Sequence, residues 1–341
     1  MSDASASPVS RLPVPRRMIA VILLAPVVAA IALWAAGWSG ARLAPRDLPI
    51  GVAGPRAATT PLERALDARE GAFDVHRYTD EAAAKDAIKD REVYGAVVAT
   101  PQGPKLLTAS AAGPVVAQML SAAVAQQAPQ GAPVPTEDVV PAPSADPRGA
   151  ALSGSVLPLA IAGIGAGALV TLLQLRGVRA AGALIGAATL VGVVGAAIAG
   201  SWLDVITGNW WAEAAALALV ALAIGSAVAG LAALIGPPGI GAVAMLIMLI
   251  GNPFSGVSSA PQLLPEPAGL IGQLMPPGAG ASLVRSVAFF DGNGGGGPAL
   301  TLGIWTVLGL LGVALGARRA TRSTTATAAA DRELTPVGSV G

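Results

Sequence analysis

The chain has no cysteine, so it can form neither a disulfide nor a thiolate metal site. Its one histidine, His76, stands apart from any cluster of carboxylates, and a lone imidazole is a poor metal ligand set; the expectation is a surface or edge-strand side chain. Charge is also scarce. Asp, Glu, Lys and Arg make up 12% of the 341 residues, where a soluble protein carries about a quarter, and 53% are hydrophobic. A net charge of +1 leaves no basic field, so nucleic acid is not expected as a partner. Gly236-Pro237-Pro238-Gly239 is glycine-rich, but no Gly-Lys-Ser/Thr follows it to hold phosphate and magnesium; it reads as a helix stop. No Gly-x-Ser-x-Gly elbow occurs, and no base sits beside a nucleophile. The expectation is a protein that is not an enzyme, with no catalytic residue, cofactor or metal of its own. If ATP drives it, the motor is another chain.

What the sequence does contain is long apolar runs. The fold class expected is an α-helical polytopic membrane protein of six transmembrane helices, with an extracytoplasmic α/β domain inserted between spans one and two. Residues 1–17 are polar and proline-rich and read as a disordered cytoplasmic N-terminus. Residues 18–39 form the first span, with Trp34 and Trp38 where an interfacial aromatic belt belongs. The run is longer than the apolar core of a signal peptide, which favours a retained anchor. Residues 152–317 hold the other five spans: Leu152–Leu175, Ala181–Ile198, Ala214–Ile235, Ile240–Gly251 and Ala299–Ala317. Ile240–Gly251 is short for a crossing unless its helix begins at Pro238 or Asn252–Ser255 lies among the headgroups. Small-residue pairs at Gly182/Gly186, Ser226/Gly230 and Gly312/Gly316 offer close helix approaches. Residues 318–341 read as a disordered cytoplasmic tail.

Orientation follows from arginine placement. Arg11, Arg16 and Arg17, then Arg176 and Arg179, then Arg318, Arg319 and Arg322 fall on one side if six spans alternate, and that side is the cytoplasm. Both termini are then cytoplasmic and residues 40–150 extracytoplasmic. Arg42 and Arg46 run against the pattern, but they open a long domain where the rule is weak. Within the spans no ionisable residue lies deep, with Asp204 and Glu213 expected at the outer interface, so a proton-relay pump is not expected.

Residues 40–127 carry most of the charge and alternate strand and helix patterns, which predicts a small α/β domain with a partly parallel sheet. Strands are expected at Leu48–Ala53, Phe73–Tyr78, Tyr94–Ala99 and Lys105–Ala109. Helices are expected from Pro61, from a Thr79 cap, and over Pro114–Gln126. Residues 128–151 read as a proline-rich tether.

Asn252–Pro298 is the stretch of most functional interest. It is too rich in proline and glycine to be a span, and it lies between two apolar runs. It reads as a re-entrant or interfacial hairpin, with Asn252, Pro253, Gly256, Pro276, Pro277, Gly278 and Arg285 as the gate candidates. Ala279–Phe290 has helical spacing with Pro276-Pro277-Gly278 before it, and is expected to lie along the membrane interface. Arg285 is expected to reach lipid phosphate from that helix, or to contact substrate or a partner subunit. Gly292–Gly297 reads as slack before the last span.

The pieces Asn252-Pro253, Ser255-Gly256, Leu264-Pro265, Leu274–Ala279, Leu283–Ser286 and Phe290–Gly292 resemble the last extracytoplasmic loop of bacterial type-2 ABC exporter permeases, in the phage-infection-protein (Pip)-like branch. The Leu48–Ala53 strand, the Tyr94–Ala99 strand and the Asp146–Gly149 segment before the second span extend the resemblance over nearly the whole chain. It implies a multi-pass protein of the bacterial plasma membrane, a homodimer of six-span halves, and a separate ATPase subunit. In permeases of this class the ATPase docks on a helix before span one and on a loop between spans two and three. Here the first is proline-rich and the second is only Arg176–Ala180, so the docking surface is reduced. The function expected is export of a hydrophobic or amphipathic substrate by a permease subunit. The alternative is a non-transporting receptor or scaffold whose outer domain binds a phage, cell-wall or secreted partner.

Overall fold

A computed structural model of the chain describes residues 14–127 and 134–333. The expected disorder of residues 1–13 and 334–341, and the tether at 128–133, lie outside the described residues. The chain opens with α1, Val14–Ala41. A sheet domain follows: β1 Leu48–Ala53, α2 Arg56–Asp67, β2 Phe73–Tyr78, α3 Glu81–Lys89, β3 Gly95–Thr100, β4 Gly103–Thr108, α4 Pro114–Gln127 and β5 Thr136–Asp138. The helical bundle then takes over with α5 Ala150–Leu172, α6 Gly177–Ala196, α7 Trp210–Ile235, α8 Pro238–Leu246, α9 Ala268–Leu274, α10 Pro276–Phe289 and α11 Gly296–Glu333.

Among the described residues, five helical stretches are long and apolar enough to cross a membrane: Ile22–Ala41, Ala150–Leu172, Gly177–Trp202, Trp210–Ile235 and Gly296–Arg319. Such a chain is a multi-pass membrane protein. The expected sixth span is α8. Its nine residues continue into a five-residue π-helical segment, Ile247–Gly251. The helix begins at Pro238, as a crossing requires, yet it rises only about 21 Å where the hydrocarbon core is about 30 Å thick. A second π segment, Ala197–Trp202, ends α6. Both segments close with i→i−5 bonds, Asn252 N–H to Ile247 O at 2.8 Å and Leu203 N–H to Ile198 O at 2.9 Å.

The sheet runs β2-β1-β3-β4-β5. β1 is parallel to both β2 and β3, β3 and β4 form an antiparallel hairpin, and β4 is parallel to β5. Leu48, Ile50, Leu106, Val116 and Leu120 form one apolar layer, and Ala53, Ala84, Ile88, Val98 and Leu107 the other. Local details correct the sequence reading. α2 starts at Arg56 and holds Pro61 inside it, because the first turn is already closed by Ala58 N–H and Thr59 N–H to Pro55 O. Asp80, not Thr79, caps α3, accepting from Ala83 N–H at 2.9 Å.

The expected tether is partly structure. β5 extends the sheet, and Asp146 caps α5 by accepting from Ala150 N–H and Ala151 N–H, each at 2.8 Å. The expected tail is also partly helical, since α11 continues to Glu333. β5 is held by charge as well as by backbone: Lys85 and Lys105 each bridge Glu81 and Glu137 at 2.7–2.8 Å.

α7 is the axis of the bundle, packing against α5, α6, α8, α10 and α11. Small residues make the closest approach possible. A Cβ on Gly230 would stand 2.3 Å from Gly309 O, and one on Gly309 would stand 2.3 Å from the Ser226 carbonyl carbon. Of the pairs expected from sequence, Ser226/Gly230 and Gly312/Gly316 lie in this crossing, while Gly182 and Gly186 face open space.

Two outcomes follow. Gly309→Ala lowers the melting temperature of the detergent-solubilised protein by several degrees, as overpacking of about 1–3 kcal/mol requires, whereas Gly303→Ala, which meets open space, does not. The second concerns pH. Hydrogen bonds from Lys105 and then Lys85 hold Glu81 and Glu137 below the usual carboxylate range, and the two lysines are raised in return by Glu137 and Glu81. The glutamate contribution is therefore full above the ordinary glutamate value of about 4.3 and is lost as pH falls through the depressed folded values. Hydrogen-exchange protection at residues 136–140 falls below that pH in the native chain, and the acid-sensitive step disappears in the double variant Glu81→Gln/Glu137→Gln.

Candidate functional site

Residues 252–295 fill the space between the sheet domain and the domain-facing end of the bundle. Proline sets the local structure. Pro276 and Pro277 occupy the first turn of α10, where a missing N–H costs nothing, and they prevent α9 and α10 from joining. Glycines then let the pieces close on each other. A Cβ on Gly272 of α9 would lie 1.6 Å from Phe254 O, and one on Gly278 would lie 2.2 Å from Gly272 O. Gly256 has φ +67 and turns the chain back against Pro261.

The structure places the sequence candidates as follows. Asn252 ends the π segment of α8, and its carbonyl accepts from Ser255 Oγ at 2.8 Å. Pro253 follows it, half-buried. Pro277 packs against Gly251, which brings Asn252, Pro253, Pro276, Pro277 and Gly278 into one knot. Arg285 lies further along α10, where Nη2 donates to Val257 O at 2.8 Å and the side chain lines a cavity together with Arg91 and Tyr94 of the sheet domain.

The expectation of an interfacial amphipathic helix is overturned. Pro276 through Ser286 and Ala288 are all buried, with Arg285 at 4% exposure and Ser286 at 0%. Small residues, Gly278 to Ser282, let neighbours approach from every side, so α10 has no free face. It packs on α7, α11, α9 and α5. Arg285 accordingly does not reach a lipid surface in this state. The expected glycine slack is also ordered: Gly295 is buried against Ser286, and Gly296 and Gly297 begin α11.

Several residues here carried no signal in the sequence. Arg91 and Tyr94 come from the sheet domain. Arg91 Nη1 donates to Ser282 O at 3.1 Å and its guanidinium sits 5.3 Å over the Phe290 ring. Tyr94 Oη donates to Gln262 Oε1 at 2.9 Å. Asn293 Nδ2 donates to Asp90 Oδ1 at 2.9 Å, and Ser286 Oγ to Asn293 O at 2.7 Å. Arg46 Nη1 donates to Leu263 O at 2.9 Å, and Trp305 Nε1 ties α11 to Leu274 O at 2.9 Å. Arg91 stands among charged neighbours, Lys89-Asp90-Arg91-Glu92, and nothing there points to a helix so distant in the chain.

Burial pulls the Arg285 guanidinium down to about 10, with Arg91 adding repulsion against an opposing contribution from Tyr94. Burial likewise lowers Arg91 and pushes Tyr94 up. Glu213 lies in the first turn of α7, buried at 1% exposure, and accepts from Gly208 N–H at 2.8 Å. His76 rests 3.0 Å from Asp74 on the edge strand β2, and no cluster among the described residues could hold a metal ion.

Beside α10 lies an apolar slot of about 630 Å³ between α5 and α6, lined by Leu152, Pro158, Leu190, Val194, Leu203 and Leu217. Val284 of α10 forms part of its wall.

The burial of α10 is testable in this cysteine-free chain. Single cysteines at Ser282 and Ser286 should resist a membrane-impermeant thiol reagent, while one at the exposed Gly292 reacts. Strong labelling at all three positions would contradict a helix covered on every side.

Residues 16–143 match the family model described as ABC-2 family transporter protein, a stretch that takes in α1 and the sheet domain through β5. No curated protein and no solved structure matches the chain. The family match, on a multi-pass chain of this architecture, supports the ABC-2 permease superfamily.

Proposed function

We propose that this chain is the membrane permease component of a type-2 ABC exporter of the Pip-like branch, moving a hydrophobic or amphipathic substrate outward. The observation that carries the reading is the junction of slot and helix. An apolar slot of about 630 Å³, within the range of about 300–1,000 Å³ usual for ligand pockets, shares Val284 with the helix that closes the domain-facing end of the bundle. A substrate chain in that slot touches the element that would have to move. The match of residues 16–143 supports the same class.

In this reading α8 counts as a crossing, six passes result, both termini are cytoplasmic, and the sheet domain and hairpin are extracytoplasmic. The chain performs no catalysis and works as a homodimer with a separate ATPase subunit. The short turn between α5 and α6 offers that subunit little surface, whereas α11 runs on past Arg319 to Glu333 and lengthens the cytoplasmic face.

A reversible lock tests the role of α10. Val220 Cβ of α7 lies 3.5 Å from where a Cβ on Gly280 would stand, at the short end of disulfide geometry. The double variant Val220→Cys/Gly280→Cys should block ATP-dependent movement of fluorescent phospholipid analogues and hydrophobic dyes in inverted membrane vesicles when oxidised, and restore it on reduction. Equal movement in both forms would remove α10 as a gate. Absence of any movement by the native chain, with no ATPase co-purifying from native membranes, would turn the assignment toward the receptor or scaffold alternative.

A further inference from the structure

Arg285 of α10 and Arg91 of the turn between α3 and β3 line one cavity. The cavity has a volume of about 230 Å³ and is also lined by Tyr94, Gln262, Gln273 and Ser282. Neither arginine forms a salt bridge among the described residues. Arg285 spends Nη2 on Val257 O, and its Nε is buried with no hydrogen-bond partner. A buried charge without a partner is costly to desolvate, so its presence calls for a counter-charge.

The neutral groups around the cavity sharpen the point. Gln262 uses its Oε1 to accept from Tyr94, which leaves its amide N–H groups as donors. Gln273 Oε1 is taken by Ser282 Oγ at 2.7 Å and its Nε2 by Ser255 O at 3.0 Å. The unpartnered hydrogen-bonding capacity is thus concentrated in donors: Arg285 Nε, the rest of Arg91 and the Gln262 amide. The one carboxylate in the lining, Glu92, is exposed and engages Tyr78 Oη at 3.3 Å. The volume is below the range of about 300–1,000 Å³ that holds a drug-sized ligand, and it suits a small oxyanion. A guanidinium fork matches the spacing of phosphate oxygens, and two forks can share one phosphate.

We propose that this cavity binds one phosphate-class oxyanion, held jointly by Arg285 and Arg91, so that the anion joins the hairpin to the sheet domain. The proposal rests on the cavity and stands whether or not the chain moves a substrate. The phosphate can come from a lipid whose headgroup enters the cavity or from solution.

The test uses the full chain, delipidated in an uncharged maltoside detergent. Inorganic phosphate is titrated against chloride at equal ionic strength, and phosphatidylglycerol is titrated in a separate series, with melting temperature as the readout. Phosphate or phosphatidylglycerol should raise the melting temperature by a few degrees where chloride does not. Arg285→Met and Arg91→Gln should each move the midpoint of that titration at least about tenfold higher, the loss expected for one charged hydrogen bond. Without anion, Arg285→Met should melt no lower than the native chain, since it removes an unpaired buried charge. A response to phosphatidylglycerol alone assigns the phosphate to a lipid, and a response to inorganic phosphate alone assigns it to solution. No shift with either anion, or native midpoints in both variants, would overturn the site. Should Arg285→Met fail to fold, Arg91→Gln, on a turn of the sheet domain, decides the question alone.

Discussion

Peptide groups that lack a helical partner cannot face hydrocarbon, because each one left unpaired there costs several kcal/mol. The hairpin breaks its backbone at Pro265, Pro267, Pro276 and Pro277, so it must be covered by protein or held at the headgroups. The cover comes from both directions. α7, apolar and small-residued along much of its length, brings α5, α6 and α11 close enough to form a floor, and α10 lies across it. The sheet domain supplies the roof through Arg91, Tyr94 and the loops near Gly113, whose Cβ would stand 3.1 Å from Ser259 O. The two halves of the protein are thus held together by the need to enclose one irregular segment.

That enclosure explains where polar groups are spent. Four side-chain bonds that hold the hairpin end on its backbone carbonyls, Arg91 to Ser282, Arg285 to Val257, Arg46 to Leu263 and Trp305 to Leu274, while Tyr94 to Gln262 and Asn293 to Asp90 join side chains. The Val257, Leu263 and Leu274 carbonyls lie outside any helix interior or sheet ladder, whereas Ser282 lies within α10. Side chains take the place of regular secondary structure wherever proline has removed it.

Legibility in the sequence divides along the same line. The long apolar runs at 18–39, 152–175 and 299–317 and the strand–helix alternation of 48–126 are local patterns, and the bundle and the sheet domain follow them. Helix ends moved by a few residues where side chains compete for the same cap, as Asp80 does with Thr79. β5 escaped notice because three residues among prolines carry no alternation, and its place depends on β4 and on Lys85 and Lys105. α10 misled more seriously. Its serines and arginine suggest a wet face, but a helix with Gly278, Ala279, Gly280 and Ala281 at its start has so little side-chain bulk that neighbours reach it from all directions. Arg91 belongs to a pairing that only the tertiary fold creates.

The first turn of α11 contains Gly296 and Gly297, with Pro298 immediately after. Glycine gives a helix about 1 kcal/mol less per residue than alanine, while proline at this point needs no N–H partner. That end of the helix is therefore set by its surroundings more than by its own residues. Extending the helix backwards by one turn would place Pro298 in its interior, at a cost of about 3 kcal/mol, and Gly295 just before it is buried against Ser286. The last apolar stretch therefore starts at a fixed height above its glycine crossing with α7, and a thicker or thinner bilayer has to be met by tilt rather than by helix length.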